Sequence, residues 1–159
     1  MKILVKNPGE VGADRIVNAL AGREKYGCPL VVADYGTAIT FDVVSPEGDY
    51  LGGAIAPGLQ TGISALFSKA AKLPQAALSV PENVIGKNTE EAIQSGILFG
   101  NAGLTDRIIE MIRAQNGFGN AKVIATGGHA GLMKKVSKYI DVVDNWLMLE
   151  GLKLILSRN

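Results

Sequence analysis

The sequence predicts an α/β fold: a five-stranded mixed sheet with helices on its faces. Three observations predict it. Runs of β-branched and aromatic residues at 30–33, 37–44 and 50–56 are separated only by turn signals, which reads as an antiparallel meander. Two further short apolar runs, 122–125 and 140–143, alternate with helical periodicity, the mark of strands joined by helical crossovers. Glycine makes up 20 of 159 residues, against an average of about 7%. It stands among apolar runs, so backbone is expected to pack closely against backbone or ligand.

In chain order, residues 1–13 are an extended lead-in. A helix follows over about 14–26, its apolar stripe made by Ile16, Val17, Leu20 and Ala21. Gly27 stops it, and Pro29 cannot continue it. Asp34-Tyr35-Gly36 and Ser45-Pro46-Glu47-Gly48-Asp49 are the two turns of the meander. Pro57-Gly58 opens a helix to about 71, with Leu59, Ile63, Leu66 and Phe67 on one face. Residues 73–87 carry two prolines and little periodicity, a loop. Asn88 caps a long helix to about 115, with Ile93, Ile97, Leu104, Ile108 and Ile112 at helical spacing. A helix over 131–139 and an amphipathic one over 147–157 complete the pattern. The order, one helix and then βββαβαβα, is the layout of one lobe of the ribonuclease-H-like, actin-type phosphotransferase superfold. Residues 1–159 are thus expected to form a single lobe: lead-in and helix over 1–28, core over 29–159, with no internal repeat and no disordered linker.

Composition removes several function classes. Sixteen Lys and Arg against fifteen Asp and Glu give a net charge of +1, without the basic excess that neutralising nucleic-acid phosphates or an acidic membrane requires. One cysteine, Cys28, excludes an internal disulfide framework or a zinc ribbon and suits the reducing cytoplasm. No apolar run reaches the roughly 18 residues of a membrane span, and the first residues do not read as a signal peptide. The length suffices to bury roughly two-thirds of the unfolded surface, so neither disulfides nor a structural metal are needed.

Chemistry concentrates in a few segments. The strand Val31-Val32-Ala33 delivers Asp34 to its end, Gly36 permits a sharp reversal, and Thr37 begins the return strand. In such a turn amides and a hydroxyl can face an anion while the carboxylate holds a cation; a hairpin whose Asp satisfies its own turn is the alternative. Gly12-Ala13-Asp14-Arg15 opens the first helix, where a carboxylate is held ionised by the positive end, either for chemistry or simply as a cap. The glycines of Gly52-Gly53-Ala54-Ile55-Ala56-Pro57-Gly58 admit either a ligand or a second backbone. Ala125-Thr126-Gly127-Gly128 follows a buried strand, a place where α/β proteins commonly bind nucleotides. Gly96, Gly100 and Gly103 cost stability in a helix interior, which intrachain packing or a subunit interface would explain. His129 has no nearby nucleophile in sequence to activate, and Cys28 reads as a small apolar residue.

Taken together, Glu10-Val11-Gly12-Ala13-Asp14-Arg15-Ile16-Val17-Asn18-Ala19, Asp34-Tyr35-Gly36-Thr37-Ala38 and Tyr50-Leu51-Gly52-Gly53-Ala54-Ile55-Ala56-Pro57-Gly58 resemble the C-terminal part of type III pantothenate kinases. The likeness continues through Leu73-Pro74, Ile85-Gly86-Lys87-Asn88-Thr89, Gln94-Ser95-Gly96, Ala125-Thr126-Gly127-Gly128 and Leu149-Glu150-Gly151-Leu152. The resemblance implies ATP-dependent phosphorylation of pantothenate to 4'-phosphopantothenate, the first step towards coenzyme A. It implies pantothenate binding by Gly12, Ala13, Asp14, Arg15 and Thr89, with Asp14 the proton acceptor. It implies that Asp34 holds an activating monovalent cation, K⁺ or NH₄⁺, and that Gly36 and Thr37 contact ATP. Gly127 and Gly128 would lie near the adenosine, Mg²⁺ would bridge the phosphates, and the protein would be a cytoplasmic homodimer.

Two departures qualify these implications. Family members begin with another lobe carrying an Asp-x-Gly-Asn-Thr turn that also grips the phosphates, and this sequence contains no such motif. The missing part corresponds to roughly 90–110 residues, a small domain in itself. Where some members carry an aromatic pantothenate contact, this chain has Val5. The isolated lobe is therefore expected to be deficient in turnover, with the other lobe a possible separate chain. Alternatives are a non-catalytic binding or regulatory module of the same family, or another phosphotransferase of the superfold.

Overall fold

A computed structural model describes residues 1–69 and 78–157. Its helices and strands run α1 (Ala13–Tyr26), β1 (Leu30–Tyr35), β2 (Ala38–Val44), β3 (Tyr50–Pro57), α2 (Leu59–Lys69), α3 (Thr89–Arg113), β4 (Lys122–Thr126), α4 (Ala130–Met133), β5 (Val142–Val143) and α5 (Leu147–Ser157). The five strands form one sheet in the order β3-β2-β1-β4-β5. β1, β2 and β3 pair antiparallel, as a meander must, whereas β4 joins β1 and β5 joins β4 in parallel. The predicted mixed sheet is therefore present, and its two connection styles meet at β1.

Strand alternation assigns the two faces. Val31, Ala33 and Tyr35 of β1 and Ile39, Phe41 and Val43 of β2 point into the larger core with Leu98, Ala102 and Ile109 of α3. The Tyr35 hydroxyl and Thr105 Oγ1 are 3.1 Å apart inside that core, which satisfies both buried groups. Leu30, Val32 and Val44 occupy the opposite face with Ala19 and Ala21 of α1 and Leu147 at the start of α5. Period two then places Asp34, Thr40 and Asp42 on this second face, beneath α1. A strand that is apolar on one side thus carries its carboxylates to the other.

Glycine allows the helices on this face to come close. A side chain at Gly22 of α1 would press on Leu30 and Val32, at 3.1 and 3.2 Å, and one at Gly151 of α5 would overlap Val17 at 2.6 Å. Burial pushes Asp144 up, but the Lys25 ammonium, the Tyr26 hydroxyl and the Trp146 amide together pull it below the usual carboxylate range. This group ties the end of α1 to the start of α5. The glycines of α3 are different: a Cβ at Gly96, Gly100 or Gly103 would meet nothing within 4 Å. Packing within the described residues does not explain them.

Several boundaries differ from expectation. The lead-in bridges Tyr50 in parallel at Ile3 and then forms a 3-10 turn at Pro8–Glu10. The helix expected over 131–139 stops at Met133, because Ser137 and the Lys138 amide turn aside to Asp106 of α3. The strand expected over 140–143 shortens to Val142–Val143. Residues 78–87 carry no helix or strand, as expected of that loop, whereas Leu73-Pro74 and the predicted end of the second helix lie outside the described residues.

Candidate active site

The site is built where α1 begins, above the C-terminal end of β1. Asp14 is exposed in the first turn of α1, and Asn18 follows one turn later on the buried side. Asn18 Nδ2 donates to Asp34 Oδ2 at 3.0 Å. Burial pushes the Asp34 carboxyl above its ordinary range; the Asn18 bond opposes this, and the charges of Asp14 and Asp42 add to it. Asp14 and Asp34 therefore lie near enough to feel one another, on the same side of the molecule.

The β1–β2 turn closes through the Gly36 amide, which donates to Ala38 O at 3.0 Å. Thr37 is exposed at its tip, and its carbonyl accepts from the Gly58 amide at 3.0 Å and Thr61 Oγ1 at 2.6 Å. A Cβ on Gly58 would sit 2.3 Å from Gly36 O and 2.4 Å from Thr37 O. Of the two readings open for the 52–58 glycines, backbone against backbone is the one realised at Gly58. The same holds at Gly53, where a Cβ would strike the Phe41 carbonyl.

Gly127 completes the group. It follows β4, whose Thr126 pairs with Asp34, and it has φ +90°, a conformation that favours glycine. A Cβ there would lie 2.4 Å from Asp34 Oδ1 and 2.8 Å from the Tyr35 backbone. Beside it, Gly127, Gly128, Gly131, Leu132 and Asn145 line an open cavity of about 390 Å³, at the C-terminal end of parallel strands where such folds receive ligands.

Arg15 has a different setting from its neighbour Asp14. Its Nε and one terminal nitrogen both reach Asp42 Oδ1 at 2.7 Å. Asp42 is fully buried and also accepts from Tyr50 OH at 2.8 Å and Thr40 Oγ1 at 3.0 Å. Burial pushes its carboxyl up, while Arg15, Tyr50 and Thr40 pull it back towards the ionised form. The capping alternative for Asp14 is not realised: no side-chain hydrogen bond caps the start of α1.

Of the residues singled out in sequence, Gly12, Ala13, Asp14, Asp34, Gly36 and Gly127 gather here, with Arg15 turned to Asp42, Thr37 at the turn tip and Gly128 in the adjoining cavity. Thr89 stands apart, exposed on the first turn of α3 behind the Asn88 cap, whose Oδ1 accepts from the Glu91 amide at 2.9 Å. Asn18, Asp42, Tyr50 and Asn145 were not anticipated. A polar residue at a buried helical position, one turn from Asp14, was the readable signal for Asn18. Asp42 gave a similar one, as a carboxylate inside an apolar strand.

Among the described residues no three His, Cys, Asp or Glu side chains come together to hold a metal ion, and no helix is long and apolar enough to cross a membrane. Asp34 is the one carboxylate set at the β1 turn, with Oδ2 taken by Asn18 and Oδ1 against Gly127. One carboxylate could serve a cation only together with ligand, water or backbone oxygens.

Comparison with known proteins agrees with this architecture. The family model of type III pantothenate kinase matches residues 1–111. The type III pantothenate kinases of Anaeromyxobacter sp. (strain Fw109-5) and Geotalea uraniireducens (strain Rf4) are 52% and 51% identical over all 159 residues, and the chain spans 62% of their length. Among solved structures, one described as a Baf family transcriptional activator from Campylobacter jejuni superposes with a TM-score of 0.71 at 23% identity, over 100% of this chain and 69% of that one. The activator of 2-hydroxyisocaproyl-CoA dehydratase from Clostridium difficile, with bound ADPNP, has a TM-score of 0.51 at 13% identity, over 87% of this chain and 62% of that one. These likenesses give the fold, the actin-like ATPase lobe expected from the element order. With the family match over 111 of its 159 residues and the shared identity along all of it, the chain belongs to the type III pantothenate kinase family.

Proposed function

We propose that this chain supplies the acceptor-binding half of an ATP-dependent pantothenate kinase. One observation carries the reading: the Asp14 turn of α1 and the Asp34 turn of β1 are linked through Asn18. A group that could take a proton therefore stands beside a turn that could face phosphate. In the reaction, the terminal hydroxyl oxygen of pantothenate forms a bond to the γ-phosphorus of ATP as the bond to the ADP oxygen breaks. The hydroxyl proton passes to Asp14. Phosphoryl transfer has a loose transition state, so most of the work is positioning and charge compensation. An exposed carboxylate at a helix start is a weak base, suited to aligning the hydroxyl and taking its proton late.

Gly12, Ala13 and the backbone of Arg15 hold pantothenate in this reading; Thr89, apart from them on α3, takes no part in it. Gly36 and Thr37 would meet the ATP phosphates, and Mg²⁺ bound with the nucleotide would offset their charge. Asp34 would hold K⁺ or NH₄⁺, whose positive charge would offset that of the phosphates. The cavity beside Gly127 and Gly128 takes the adenosine, and Asn145 joins its lining. The relatives are longer than this chain, and in this reading a second lobe closes over the nucleotide. Trp146, Leu149, Leu152 and Leu156 of the α5 segment are exposed along one stripe, and the Gly96–Gly100 face of α3 is open. These surfaces support association, as a homodimer and with that lobe.

The test is ADP release by the purified 159-residue chain with ATP, pantothenate, Mg²⁺ and K⁺. Weak turnover, with heat on titration of ATP or pantothenate, is expected. Robust turnover overturns the deficiency, and Asp14→Ala must then abolish it. No heat with either ligand, together with tight self-association, supports a non-catalytic module instead. Protection by a sugar or acetate but not pantothenate points to another phosphotransferase. A clean monomer by light scattering at micromolar concentration removes the homodimer.

A further inference from the structure

Packing does not explain Asn18. Its side chain is 1% exposed, between Val17 and Ala19 on the side of α1 that faces the sheet. Nδ2 donates to Asp34 Oδ2 at 3.0 Å, while Oδ1 is buried and accepts no hydrogen bond among the described residues. A buried amide with half of its hydrogen bonding unmade lowers stability. A branched aliphatic side chain of similar shape would not carry that cost. The orientation is dictated from outside, because turning the amide over would set Oδ1 against a carboxylate oxygen. Among the described residues, the hydrogen bonding of the Asn18 side chain is directed at one atom, Asp34 Oδ2.

Asp34 in turn depends on it. No other hydrogen bond to its carboxylate is found among the described residues, and the missing side chain of Gly127 leaves the space that Oδ1 occupies. Without the Asn18 amide, nothing described would choose between the carboxylate's orientations at the end of β1. Asn18 and Asp14 share one helix face one turn apart, so an orientation fixed by Asn18 is also fixed relative to the Asp14 turn.

We propose that Asn18 is a positioning residue, whose amide holds Asp34 Oδ2 so that Oδ1 faces the Gly36 and Gly127 turns in register with Asp14. What Oδ1 serves there, cation and phosphates, rests on the phosphotransfer reading above; the orientation itself does not.

Crystal structures and melting curves of the native chain, Asn18→Leu and Asn18→Asp decide it. In Asn18→Leu the Asp34 carboxylate loses its hydrogen bond and is expected to leave the native rotamer, with some loss of melting temperature. The apparent affinity for ATP with Mg²⁺ and KCl, read from the ligand-induced rise in melting temperature, should fall by about tenfold or more, as for other residues that orient a ligating group. Asn18→Asp keeps the volume and replaces the donor with an acceptor, so it should also displace Asp34 even if Asn18→Leu fails to fold. An unmoved Asp34 in either variant overturns the proposal, as does an unchanged response to ATP. A native chain that does not respond to ATP counts against the phosphotransfer reading, and the Asp34 rotamer still decides the role of Asn18.

Discussion

Arg15 and Asp42 are joined through a single oxygen: both Nε and a terminal nitrogen of the guanidinium reach Asp42 Oδ1 at 2.7 Å, and the carboxylate is fully buried. The arginine next to Asp14 is thereby fastened to the middle of β2, which fixes the first turn of α1 on the sheet. Asp42→Ala would leave the Arg15 guanidinium and the Tyr50 hydroxyl without their partner. Removing one member of such a pair costs about 3–5 kcal/mol, and a urea titration should show the loss as a lower midpoint with an unchanged slope. A loss below about 1 kcal/mol, the range of a surface pair, would mean that this ion pair does not hold the helix in place.

Gly127 and Gly128 are adjacent, and their substitutions should behave oppositely. Gly127→Ala forces a side chain into φ +90° and against Asp34 Oδ1. The backbone strain alone is about 1–3 kcal/mol, or a drop of roughly 2–4 °C in melting temperature for each kcal/mol at this size. Gly128→Ala meets nothing within 4 Å and should stay within about 0.5 kcal/mol of native. Differential scanning calorimetry of both variants checks the contrast. Equal effects would contradict the close approach of β4 to Asp34.

The junction of α1 with α5 should be sensitive to acid. The native Asp144 carboxyl lies below the ordinary range, so the folded state holds it ionised more firmly than the unfolded chain does. Its contribution is complete above the unfolded value of about 3.9 and disappears as pH falls through the lowered native value. Asp144→Ala removes the partner of Lys25, Tyr26 and the Trp146 amide. It should cost about 1–3 kcal/mol at pH 7 and flatten the acid side of the stability profile. A parallel loss at every pH would refute the linkage.

Asp34 should be kept at a cost in stability. Its carboxylate is largely buried with one hydrogen bond among the described residues, and burial raises its pKa. At neutral pH, Asp34→Asn should therefore melt a few degrees higher than the native chain and lose the stabilisation given by ATP with Mg²⁺ and K⁺. A lower melting temperature would show Asp34 to be structural.

Much of this was legible in the sequence. The meander followed from three β-branched runs separated by turns, because local pairing requires only that neighbours meet. The Asp34 turn and the Gly12–Arg15 segment were readable as places where charge stands at an element's end. The brief α4 was not, since it is ended by Asp106, far away in sequence. Asn18 and Asp42 were missed for the same reason: their roles exist only after α1 lies across β1 and β2. The glycines at 52–58 left ligand and backbone as equal choices, and the approach of Gly58 to the Gly36 and Thr37 carbonyls, with that of Gly53 to the Phe41 carbonyl, decides between them.

The contact of Gly151 with Val17 also bears on how the chain is made. The inner side of α1 is finished by Leu147 and Gly151, residues separated from it by more than a hundred positions. While the ribosome is still adding the middle of the chain, that side of α1 lacks the cover of α5. The helix bearing Asp14 can settle only after the 147–157 segment has emerged, so a stall or a nonsense codon before that segment should yield an unsettled, protease-sensitive product.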